Sequence, residues 1–190
     1  IIVKFAMMEN NLEKSILYAN KILEIAPDMH EYILFLGDIY SNNLQKYEKG
    51  ITQYNKYLDL YPQNPEGYEK IANVYVHKQD YDNAYKFIMK AQALGASGAE
   101  FELQLMNINY KLNSWTAETY VNHVYPLLTK YNNAGFQPTV NLYSNIYGKL
   151  SNRGKERQSF KYRQEMVEYV ERTMGPGLGA FLQLIFYLLK

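Results

Sequence analysis

The side chains best suited to metal binding or proton transfer are three histidines, His30, His77 and His123, and their spacing serves neither task. None has a histidine or cysteine three or four residues away, and a metal site needs ligands that converge. Cysteine is absent, which removes disulfides and thiolate ligands. The glycines of Gly175-Pro176-Gly177-Leu178-Gly179 follow a helical pattern rather than a strand, so they read as a chain breaker and not as a dinucleotide fingerprint. There is no Walker loop, and no nucleophile, base and orienting acid stand at a workable spacing. The expectation is a protein without catalytic residues, metal or cofactor.

One charge run points to binding rather than catalysis. Lys149, Arg153, Lys155, Arg157, Lys161 and Arg163 put six basic residues into fifteen, with Phe160 and Tyr162 among them. Basic residues interleaved with aromatics suit nucleic acid or an anionic membrane surface. Glu165, Glu168 and Glu171 follow at spacings that allow pairing within one helix, so a plain solvated face is the competing explanation. The whole chain carries a net charge of only +1, which disfavours a polyanion as its general partner.

These residues must be positioned by helices. The stretch from Asn64 to Ala96 carries Tyr68, Ile71, Ala72 and Tyr75 at helical spacing, then the polar turn Lys78-Gln79-Asp80. Tyr81, Ala84, Tyr85, Ile88 and Ala91 follow on the inner face of a second helix. A single hairpin of this kind cannot bury its own apolar face, and copies of it recur. The residue closing the first helix stands at Ala6, Tyr40, Tyr75, Tyr110 and Tyr147, in steps of 34, 35, 35 and 37.

On these residues the chain resembles the tetratricopeptide repeat family, whose unit is a helix-turn-helix of about 34 residues. The family pattern stands here as Ile33-x2-Leu36-Gly37-x2-Tyr40, Gly50-x3-Tyr54 and Pro62, and next as Tyr68-x2-Ile71-Ala72-x2-Tyr75 and Ala84-x3-Ile88. The first unit keeps Ser15-x3-Ala19 and Pro27. The fourth and fifth depart from the pattern: Asn107 and Ser144 take the small-residue place, and Thr119 and Glu156 the alanine place. The resemblance implies an all-α fold, a right-handed superhelical solenoid of about five hairpins. The expected units are residues 1–29, 30–64, 65–98, 99–136 and 137–174, followed by an apolar segment, 175–190. Pro126 should kink its helix or shift the helix start, and Pro138 suits a first helical position.

The same resemblance implies that the first helix of each pair lines a concave groove that binds a segment of a partner protein. Carried over place by place, the groove residues are Glu31, Leu34, Asp38, Glu66, Glu69, Asn73, His77, Gln104, Ile108, Asn141 and Asn145. The family's carboxylate-clamping subgroup needs cations in the groove, whereas Glu31, Asp38, Glu66 and Glu69 are acidic. The N-terminal half should therefore prefer a basic or neutral partner. The expected function is a non-catalytic scaffold or assembly subunit of a larger complex. The alternatives are a nucleic-acid or membrane-surface module using 149–163, or an accessory domain of a larger enzyme.

The two ends carry further expectations. The chain opens at Ile1-Ile2-Val3, inside a helical pattern, so the natural protein is expected to extend further or to have been processed there. Ala180 to Leu189 is apolar apart from Gln183, and is shorter than the roughly twenty residues a spanning helix needs. A buried final helix, a segment docked in a partner through Phe181, Leu184, Ile185 and Leu188, and the start of a membrane anchor all remain open.

Overall fold

The computed structural model describes residues 11–131, 136–151 and 156–174, and every described element is helical. The elements are α1 (Leu12–Ile25), α2 (His30–Asp38), a π-helical turn (Ile39–Asn43), α3 (Tyr47–Leu60), α4 (Pro65–His77), α5 (Tyr81–Ala93), α6 (Ala99–Leu112), α7 (Ala117–Lys130), α8 (Phe136–Ser151) and α9 (Glu156–Met174). The chain divides into two compact units, one ending at Ala96 and the other beginning at Ser97.

In the first unit α2 packs with α3 and α4 with α5, and α3 also packs on α4. Side-chain caps start α1, α4 and α5. Asn11 and Asn64 accept the backbone N–H of Lys14 and Glu66, each at 3.0 Å, and Asp80 accepts that of Asn83 at 3.1 Å. These caps satisfy donors that the first helical turn leaves unpaired. Asp80 also accepts the Asn83 side-chain amide at 2.7 Å, and these two bonds hold its carboxyl below the usual range.

The turns repeat a feature that their residue types conceal. Gln45, Gln79 and Ser114 all take positive φ, at 52°, 59° and 49°. In the later two turns the next residue donates back to the recurring tyrosine: Asp80 N–H to the Tyr75 carbonyl at 2.9 Å, and Trp115 N–H to the Tyr110 carbonyl at 3.1 Å. This is the Schellman closure of a helix. In the first turn Lys46 N–H reaches the Tyr40 carbonyl, one residue further back, at 2.7 Å. The extra residue of that repeat is thus absorbed in the wide π turn at the end of the helix, not in a longer loop.

The core of the first unit joins Ile33, Leu34, Tyr54, Tyr57, Ile71 and Val74. Ala72, Ala84, Ile88 and Ala91 are buried as their spacing predicts. Tyr68 and Tyr75 are half-buried, and Tyr85, expected inside, is 36% exposed.

In the second unit α6 packs on α7 and on α8, α7 on α8, and α8 on α9. Its core joins Leu103, Tyr110, Ala117, Tyr120, Val121, Val124, Leu127, Ile146 and Leu150. Thr119 is expected at the alanine place, but the inner face of α7 lies one position further on. Tyr120 and Val124 are buried, while His123 is exposed and stacks on Trp115 with ring centroids 4.3 Å apart. Thr116 is the cap, accepting Thr119 N–H at 3.1 Å, so the turn is longer than in the preceding hairpin. α7 runs from Ala117 to Lys130 with Pro126 inside it, so the helix start is not set by the proline. α8 begins at Phe136, two residues before Pro138.

Candidate partner-binding surfaces

In the first unit the predicted groove residues come from α2 and α4, and a polar network ties those helices together. Asp38 at the end of α2 receives both carboxylate bonds from the Lys70 ammonium of α4, at 2.9 and 2.8 Å. The Tyr54 hydroxyl of α3 donates to the same carboxylate at 2.8 Å and lies 3.1 Å from Ser41 Oγ, which donates to the Gly37 carbonyl at 2.7 Å. Burial, reinforced by the Asp38 charge and opposed by the Ser41 bond, pushes the Tyr54 phenol well above its ordinary pKa. Asp38, expected in the groove, is therefore ion-paired and hydrogen-bonded within the unit. Leu34, 8% exposed, is part of the core rather than a groove wall.

The remaining predicted residues of this unit stay accessible. Glu31, Glu66, Asn73 and His77 are exposed, and Glu69 is half-buried. Glu66, Glu69, Asn73 and His77 follow one another at the three- and four-residue spacing of a single helix face. Burial, then the neighbouring Glu66 charge, raises the pKa of Glu69, while Lys70 opposes the rise. The imidazole of His77 stacks nearly parallel on Tyr47, with centroids 6.4 Å apart. This stack fixes the far end of the face. Tyr47, Tyr54 and Lys70 were not picked out from the sequence as parts of this surface. Lys70 could have been, since it lies four residues after Glu66 on α4.

The predicted residues of the second unit divide differently. Ile108 is fully buried and belongs to the core, so its place in a groove is also corrected. Gln104, Asn141 and Asn145 are half-buried. Asn107 of α6 accepts the Tyr120 hydroxyl at 2.9 Å and donates to Asn145 of α8 at 3.4 Å. The Asn145 amide in turn donates to the Asn141 carbonyl at 2.9 Å. The asparagine at the family's small-residue place thus accepts the hydroxyl of a buried tyrosine one position past the alanine place.

The basic run is split by the fold. Lys149 on α8 lies 4.3 Å from the Tyr110 ring centroid and 5.4 Å from that of Tyr120, over the second unit's core. Arg157 and Lys161 are exposed on α9, and Arg163 is half-buried with its guanidinium 4.8 Å from the Phe160 ring centroid. Arg153 and Lys155 lie outside the described residues, as do Phe181, Leu184, Ile185 and Leu188. Among the described residues no group of three His, Cys, Asp or Glu side chains could hold a metal ion, and no helix is long and apolar enough to cross a membrane.

Comparison with known proteins follows the same pattern. The tetratricopeptide repeat family model matches residues 30–64 and 65–94. No curated protein sequence matches the chain. Among solved structures it is similar to MamA of Desulfovibrio magneticus RS-1, at 13% identity over 90% of this chain and 93% of that one, with a TM-score of 0.64. It is also similar to PilF of Pseudomonas aeruginosa, at 12% identity over 98% of this chain and 88% of that one, with a TM-score of 0.65. A putative kinesin light chain of Podosopora anserina with TPR-like repeats aligns at 7% identity over 90% of this chain and 92% of that one, with a TM-score of 0.67. At these identities the likeness is one of fold. Residues 30–94 are two tetratricopeptide repeats, set in a chain whose fold is that of all-α helical-repeat proteins.

Proposed function

We propose that this protein is a non-catalytic scaffold that holds a segment of a partner protein against the α2 and α4 face of its first unit, within a larger complex. Helical repeats of this kind work through extended surfaces rather than through single catalytic groups. The observation that carries the reading is the face formed by Glu31, Glu66, Asn73 and His77. It is exposed and polar, and the two helices that carry it are joined by the Asp38–Lys70 ion pair, with the Tyr54 hydroxyl of α3 bonded to the same carboxylate. A stiff, preformed surface loses little conformational freedom on binding. Its charge favours a basic or neutral segment.

The test is capture of partners by the intact chain, followed by hydrogen exchange on the complex. Slowed exchange over α2 and α4 supports this reading, because bound backbone opens less often. Slowed exchange confined to α8 and α9 places the partner elsewhere and contradicts it.

A further inference from the structure

The outward side of α9 pairs exposed cations with exposed aromatic surface. Met166, Val167 and Val170 turn inward and are buried. Arg157, Phe160, Lys161, Glu168 and Arg172 are exposed on the helix. Phe160 keeps 49% of its surface in water, and Tyr125 of the adjoining α7 keeps 36%. The Lys161 ammonium lies 5.7 Å from the Tyr125 ring centroid and 5.5 Å from that of Tyr162, with its side chain 63% exposed. Its ion pair with Glu165 is long, at 3.8 Å. Such an exposed pair contributes little and gives way to a stronger anionic neighbour.

We infer that this basic and aromatic side of α9 docks on an anionic membrane surface. Charge complementarity selects an anionic partner for Arg157 and Lys161. The large apolar ring between them selects a lipid headgroup layer over a nucleic-acid backbone, because an interfacial helix sinks aromatic side chains among headgroups while its cations meet lipid phosphates. This proposal does not depend on the partner-protein surface of the first unit, since it needs no second protein.

The experiment is flotation of the intact chain with vesicles of phosphatidylcholine alone and with phosphatidylglycerol added. The expected result is binding to the anionic vesicles that falls as salt is raised, and little binding to the neutral ones. Each cation near an anionic leaflet is worth roughly a fivefold change in partitioning. Arg157→Gln with Lys161→Gln should therefore lower binding roughly 25-fold. Phe160→Ser should lower it at every salt concentration. All three positions are exposed, and unchanged circular dichroism verifies that the variants fold. Equal binding of wild type and variants, equal binding to neutral vesicles, or no binding to either would overturn the proposal. So would tighter binding to a single-stranded oligonucleotide than to the anionic vesicles.

Discussion

Tyr54 occupies the space that a side chain at Gly37 would need. A Cβ at Gly37 would stand 2.7 Å from Tyr54 Cδ1 and closer still to its Cε1. The missing side chain at Gly37 lets the tyrosine ring approach α2 while its hydroxyl reaches Asp38. Even Gly37→Ala should overpack this site and cost roughly 1–3 kcal/mol. Thermal melts check this, and an unchanged midpoint would show that the ring has room to move.

The network behind that contact makes a second prediction. Tyr54→Phe keeps the ring but removes the hydroxyl shared by Asp38 and Ser41. The loss should be about 1–2 kcal/mol, because the Lys70 ammonium still satisfies the carboxylate. Lys70→Met should cost more than Tyr54→Phe, since it strands a half-buried charge. Urea denaturation of the two variants ranks them, and the reverse order would show that the tyrosine is the main partner of Asp38.

Alkaline pH should weaken the fold. Burial pushes Tyr143 up to about 12, with the Glu165 charge adding to it, and holds Tyr54 and Tyr120 higher still. A phenol whose folded pKa is raised contributes stability that is fully present below the unfolded value of about 10 and is lost as pH rises from there through the folded value. The urea midpoint should therefore hold steady up to about pH 9 and fall beyond about pH 10. Tyr120→Phe should shrink the alkaline loss. A midpoint independent of pH over that range would contradict the burial of these phenols.

The second unit offers a matching test of its asparagine hub. Asn107→Ala leaves the buried Tyr120 hydroxyl without its acceptor and should cost roughly 1–3 kcal/mol. Asn107→Ala combined with Tyr120→Phe should recover part of that loss, because the stranded donor is gone. A double variant no better than the single would show that the cost is one of packing.

The repeat organisation was legible because apolar residues at helical spacing recur with a nearly fixed step. Residues 30–94 follow the family pattern closely, and the family model matches that stretch. The places that sequence misjudged share one cause, which is that spacing fixes a helix face but not what a neighbouring helix brings to it. Spacing places Asp38 on the groove face but does not announce its ion pair with Lys70, 32 positions on. Ile108 fell on a groove position by register, yet it is fully buried. The one-residue slip in α7 went unseen because Thr119 resembles a cap residue and a small core residue equally well. The positive φ of Gln45, Gln79 and Ser114 falls on residues that are neither glycine nor asparagine, so their types did not announce it.

The central claim is that a partner segment binds the acidic face of α2 and α4, and its most direct test is partner affinity before and after charge reversal there. Glu66→Lys with Glu69→Lys alters two neighbouring positions on α4 and leaves the network of Asp38, Tyr54 and Ser41 in place. Isothermal titration with the captured partner should show affinity weakened by roughly tenfold or more at low salt, with helicity unchanged and the difference shrinking as salt rises. Affinity retained within about twofold at low salt, in a variant that is fully folded, would contradict the claim.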